Sequence, residues 1–266
     1  MVGKILRASY LWLILIFLYA PVVLLVVYSF NASNEIGTWS NEWNFSLYKM
    51  LFTDEKILDC IKTTLLLAVS ASAISTLLGT IGAIGMYYSK PRVFKILNTV
   101  TQIPIVNAEI VTAISLALVC SIFLFPRTYA SLLIAHVVLT FPFVVTSVLP
   151  KLKQMDPNLY EAGLDLGASP LKALFTIVVP EIMPGIITGF LMAFTYSLDD
   201  FVISYFTAGN VQTLSITIYS MVKKRVSPEI NALSTILFVV VLLVLLFTNV
   251  RSIKKERAKE KKMMKM

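Results

Sequence analysis

Glu109, Asp199 and Asp200 lie inside long apolar runs that contain no Lys or Arg. An Asp at the centre of a membrane helix costs roughly 2.5–3.5 kcal/mol on insertion scales, so each carboxylate must face protein or a water-filled path. Three negative groups without a counter-charge make a site that wants a cation. Tyr196 precedes the Asp pair by three and four residues, and Ser204 and Tyr205 follow by four or five. On a helix such neighbours share a face, so a carboxylate could hold an ammonium while a ring covers the methylene chain. Adjacent helical residues point about 100° apart. Asp199 and Asp200 are therefore expected to differ in role, one lining the path and the other bonded to a neighbouring helix, in an order that the sequence leaves open. Polar bonding between helices is the competing reading of the group, and of Tyr196 and Ser197 in particular.

Other chemistries find fewer residues. An intramembrane aspartyl hydrolase needs two carboxylates converging on one water, and an adjacent pair diverges. Cys60 and Cys120 stand in dissimilar contexts, which supports neither a disulfide framework nor a metal site. His136, the only histidine, falls in the middle of an apolar run. It is expected to pack neutral between helices, because a proton relay would need a partner that the sequence does not identify. No Gly-x-x-x-x-Gly-Lys-Ser/Thr run occurs, so any ATP must be hydrolysed by another chain. The chain is read as having no catalytic residue and no metal ligands.

The elements that position these residues are membrane helices. Of 266 residues, 57% are apolar and 14% charged, which excludes a soluble fold of this size. At roughly 20 apolar residues per crossing, six spans result: Tyr10 to Phe30, Thr63 to Tyr88, Ile96 to Phe125, Tyr129 to Leu149, Pro184 to Ala208, and Asn231 to Val250. The first apolar run is too long for a signal peptide and lacks a small-residue cleavage site. The third is too long for one straight helix, and a break is expected near Pro104. The second carries a small-residue face of Ser70, Ser72, Ser75, Gly79, Gly82, Ala83 and Gly85, of the kind that lets helices pack closely in lipid.

Charge placement gives orientation. With the N-terminus in the cytoplasm, 16 of the 23 basic residues lie inside, eight of them in the tail 251–266, and the acidic loop Asn31 to Lys62 lies outside. The net charge of +8 thus reads as juxtamembrane basic residues and not as a nucleic-acid surface. Lys223-Lys224-Arg225 is the exception, placed outside.

The loop from Pro150 to Met183 is expected to form two short helices. Asp156-Pro157 starts one over Asn158 to Leu166, which Gly167 ends; Ser169-Pro170 starts the next over Leu171 to Val179, which Pro180 ends. Within it, Glu161-Ala162-Gly163, three residues, Gly167, nine residues, and Ile177-Val178-Val179-Pro180 resemble the EAA loop of ABC-importer membrane subunits, whose pattern is EAA, three residues, G, nine residues, I-x-L-P. Gly163 stands for the second Ala and Val179 for Leu. That resemblance implies a coupling helix seated in a cleft of an ATPase subunit, with Glu161, Ala162, Gly163 and Gly167 in the docking role.

Tyr28-Ser29-Phe30-Asn31, Phe141-Pro142-Phe143-Val144-Val145, Ser197-Leu198-Asp199-Asp200 and Ile218-Tyr219-Ser220-Met221-Val222-Lys223 are similar, in order along the chain, to spermidine/putrescine permeases of the PotC type. The resemblance implies an all-α membrane protein of six transmembrane helices with the type I (MetI-like) importer architecture. It implies one permease domain over 1–266, with the coupling loop at 150–183 and a basic cytoplasmic tail at 251–266. The function implied is ATP-driven import of polyamines by alternating access, in the bacterial cytoplasmic (inner) membrane, with both termini cytoplasmic. The partners implied are a homologous PotB-type permease, two PotA-type ATPases that bind ATP and magnesium, and a PotD-type binding protein; this chain would hold no cofactor. Glu109, Ser197, Asp199 and Asp200 fall at positions associated in that family with passage of the polyamine, Glu109 replacing an aspartate, and Tyr48 takes the place of a tryptophan. An importer for another solute is the alternative, although an acidic path would repel an anion. An ion channel would lack any pore-loop signal.

Overall fold

The computed structural model describes residues 2–31, 40, 42–224, 230–243 and 246. Apart from a bridge between Asn31 and Trp43, its regular structure is helical. The chain divides into two compact units, Met1–Asp59 with Thr217–Met266, and Cys60–Ile216.

In the first unit, α1 (Val2–Ser29) is an apolar helix with Pro21 inside it, and only 6% of its stretch from Trp12 to Ser29 is buried, the pattern of a helix meant for lipid. Buried Ser29 Oγ lies 2.7 Å from Tyr48 Oη. The rings of Phe30, Phe45 and Tyr48 cluster around that bond, and α2 (Ser46–Thr53) buries Leu47 and Leu51. Tyr48 is thus a packed residue of the first loop. An apolar helix, α12, covers Ile230–Leu243. The rest of the expected sixth span, Arg225 of the basic cluster and the tail 251–266 lie outside the described residues.

The second unit contains all but the first turn of α3 (Glu55–Tyr87), then α4 (Pro91–Val106), α5 (Glu109–Ile122), α6 (Tyr129–Gln154) and α7 (Asn158–Asp165). After these come α8 (Pro170–Ala173), a π-helical turn (Leu174–Val178), α9 (Val179–Asp199), α10 (Val202–Thr207) and the start of α11 (Leu214–Lys224). Among the described residues, four helical stretches are long and apolar enough to cross a membrane alone, Trp12–Ser29, Glu55–Tyr87, Tyr129–Gln154 and Pro170–Asp199; α4 and α5, bent by 105°, make a fifth if taken as one span. The expected break in the third span lies at Asn107-Ala108, three residues beyond Pro104, where both backbones turn extended.

The core of this unit is the packing of α3 and α9 against α6, around Val144, Val145, Val148, Leu152 and Ile182. Small residues bring the helices together. A Cβ on Gly79 would lie 2.7 Å from Val144 Cβ, and one on Gly189 3.1 Å from Val144 Cα. Ser75 Oγ and Thr140 Oγ1, 2.6 Å apart, add a buried hydrogen bond between α3 and α6. The expected small-residue face is therefore real at Ser75 and Gly79, whereas Gly85 meets nothing within 4 Å.

The loop between α6 and α9 starts as the sequence indicates and ends differently. Gly167, at φ +85°, closes α7 with a Schellman pair: Ala168 N–H to Gly163 O at 3.2 Å and Gly167 N–H to Leu164 O at 2.8 Å. Ser169 caps α8, its Oγ accepting from Lys172 N–H. Pro180, however, does not end the second helix. The wider π turn of Leu174–Val178 precedes it and reshapes the bonding ladder that proline would otherwise interrupt. One apolar helix therefore runs over Pro170–Asp199.

Candidate functional site

The fifth span is not the continuous helix expected from Pro184 to Ala208. It breaks at Asp200, whose backbone is extended (φ −63°, ψ 127°). No Gly or Pro stands between Leu198 and Ala208, so side chains must stabilise the break. Ile203 and Ser204 donate their backbone N–H groups to Asp200 Oδ1 and Oδ2 at 3.2 and 2.8 Å, which caps α10. Ser215 Oγ donates to the Asp200 carbonyl at 2.7 Å. These bonds supply partners that membrane-embedded backbone must find within the protein.

The break separates the two aspartates. Asp200 is 6% exposed and committed to α10, whereas Asp199, the last residue of α9, is exposed. Glu109 opens the first turn of α5, where the positive end of a helix dipole favours an anion. Its side chain is near enough to those of Asp200 and Asp199 for the three charges to act on one another. Burial of Ala113, Ala135, Leu139 and Ile203 together holds α5, α6 and α10 in this arrangement. The three carboxylates read from the sequence thus lie in one neighbourhood.

The other residues fall into two groups. Tyr196 is 46% exposed, one helical turn before Asp199, and stacks on Phe143 of α6 with ring centroids 4.0 Å apart and planes at 17°. Tyr205 is exposed, but it follows the break and does not share the helical face expected for it. Ser197 is buried and turned to His136, whose Nδ1 is 2.8 Å from Ser197 Oγ. On the other side of the ring, Nε2 is 3.0 Å from Ser204 Oγ and 3.5 Å from Asp200 Oδ2. His136 therefore has the polar partners that sequence reasoning did not find. The only sign of them was the placing of Ser197 and Ser204 seven residues apart around the Asp pair. Phe143 left no sign beyond its aromaticity.

The residues to which the resemblance gives a coupling role lie apart from this site in sequence. Glu161, Ala162 and Gly167 are exposed, and Gly163 is buried with Ile177 Cδ1 in the volume a Cβ would need. Among the described residues no group of three His, Cys, Asp or Glu side chains is placed to hold a metal.

Residues 75–253 match the family described as binding-protein-dependent transport system inner membrane component. Over 247 residues the chain is 35% identical to the spermidine/putrescine transport system permease protein PotC of Escherichia coli (strain K12), covering 92% of this chain and 93% of that protein. It is also 35% identical over 229 residues to the putrescine transport system permease protein PotI of the same strain, covering 83% and 81%. In fold it is similar to a chain of a bacterial ABC transporter involved in the import of the acidic polysaccharide alginate, with a TM-score of 0.69 at 20% identity over 95% of each chain.

Proposed function

The chain belongs to the binding-protein-dependent transport system inner membrane components, a family of ABC-transporter permeases, and from that premise we propose that it carries polyamines inward past Glu109, Asp199 and Asp200. The observation that supports this most is the nearness of three carboxylates, within reach of one another's charge beside a broken helix, where α5, α9 and α10 contain no Lys or Arg. An ammonium group supplies the missing charge. Exposed Asp199 and Glu109 take it, and the carbonyl end of α9 adds its negative partial charge. Tyr196, braced by Phe143, offers a ring face to the next methylene stretch or ammonium. The E. coli relatives are named for spermidine and putrescine, in keeping with this chemistry; an anion would be repelled.

Movement comes from outside the chain. Two PotA-type ATPases, holding ATP and magnesium, engage the loop around Glu161, Ala162, Gly163 and Gly167, and a PotB-type permease completes the path that a PotD-type binding protein feeds. Both termini and the loop face the cytoplasm. The helix Pro170–Asp199, about 45 Å long at 1.5 Å per residue, joins that loop directly to Asp199. A push on the loop is therefore delivered at the acidic break, which is the mechanical requirement of alternating access. The test is to purify the chain with the proposed partner subunits and measure ATP hydrolysis in lipid. Polyamine-loaded binding protein should raise hydrolysis several-fold over the empty protein, and failure of any ATPase to co-purify would refute the reading.

A further inference from the structure

His136 is wholly buried on α6, and its ring touches three pieces of chain that meet at the break: Ser197 of α9, Asp200 between the helices, and Ser204 of α10. An unbroken helix would set Ser197 and Ser204 about 10.5 Å apart along its axis. The break instead brings their hydroxyls to opposite sides of one five-membered ring, at 2.8 and 3.0 Å. A carboxylate only accepts, so Asp200 Oδ2 suits the tautomer with its proton on Nε2, and Nδ1 then accepts from Ser197 Oγ. The same turn of α6 is tied to α3, since Thr140 Oγ1 donates to the His136 carbonyl at 2.7 Å and shares a hydrogen bond with Ser75. No local residue forces the helix to break, as neither Gly nor Pro lies there. The broken form is therefore the one that the imidazole bonds from both sides.

We propose that His136 is a positioning residue for the translocation path: by bridging Ser197 and Ser204 it selects the broken form of the fifth span and so sets Asp199 and Glu109 where a cation can pass between them. It acts through these groups and touches no substrate. Ser197, buried against the ring, acts by the same route, so its place in the path is indirect. The inference rests on the polyamine reading for its transport consequence and on the fold alone for its structural one.

Two readouts on the complete importer in lipid test it. The variants are His136→Leu, which fills the space without polar atoms, and His136→Gln, whose amide reaches the Nε2 position. Backbone hydrogen exchange over 200–207, read by mass spectrometry, should quicken about 10-fold in His136→Leu through loss of the local closed form and return most of the way in His136→Gln. Polyamine uptake should fall about 10-fold in His136→Leu while binding-protein-stimulated ATP hydrolysis stays within about twofold, since the lost contact serves passage and not the ATPase. Unchanged exchange in His136→Leu would overturn the proposal, as would uptake and hydrolysis falling in parallel. If that variant does not assemble, Ser204→Ala removes one hydroxyl, keeps the capping carboxylate, and must show the same split. A wild type that moves no polyamine would remove the substrate assignment, and the exchange result would still decide the clamp.

Discussion

Asp199 and Asp200 share a side chain and adjoin in sequence, yet one is spent on structure and the other is open. The difference comes from the backbone. Once α9 stops at Asp199, the next carboxylate is within reach of the two N–H groups that start α10, and it is buried by doing so. Asp200→Asn puts an NH2 against one of those N–H groups, and an unsatisfied buried donor costs about 1–3 kcal/mol. The thermal unfolding midpoint of the purified chain is expected to drop clearly in Asp200→Asn and to stay near wild type in Asp199→Asn. Equal midpoints would mean that the cap carries no weight. The sequence shows that these acids are out of place in the membrane, because composition alone makes them so. It does not show which is the cap, because the answer depends on Ser215, His136 and Glu109, all distant along the chain.

The helices follow local chemistry where local chemistry is strong. Gly167 ends α7, Ser169 starts α8, and the third span breaks close to Pro104, each for a reason visible within a few residues. Pro180 and Asp200 go the other way. A proline usually stops a helix, but a preceding π turn carries this one through, and a break without Gly or Pro has no local signature to read. Close packing has the same character. Seven small residues of the second span look alike in sequence, while only those facing α6 are confined. Gly79→Leu drives a side chain into Val144, and overpacking of this kind costs about 1–3 kcal/mol. The expected result is loss of monodisperse protein on size exclusion in detergent, with Gly85→Leu, where nothing lies within 4 Å, behaving as wild type. Aggregation of both would point to lipid-facing effects in place of α3–α6 packing.

Over the whole molecule, charge is sorted by place. A chain of net charge +8 has no basic residue in α5, α9 or α10, the helices around Glu109, Asp199 and Asp200. The fold class and the family were legible from hydropathy and from the spaced coupling loop, because both are patterns in sequence. The rod from Pro170 to Asp199 was not, since it depends on a π turn that no residue type announces. That rod joins the loop proposed to engage the ATPase to the acidic site, so the central claim is that Asp199 carries the cation that the loop helps to move. ATP-driven uptake of labelled putrescine and spermidine into proteoliposomes, by wild-type and Asp199→Asn importers assembled to equal levels, tests it most directly. The account predicts an initial uptake rate lowered about 10-fold or more, the equivalent of one charge-assisted hydrogen bond, with ATP hydrolysis still stimulated by loaded binding protein. Uptake equal to wild type in Asp199→Asn would contradict it.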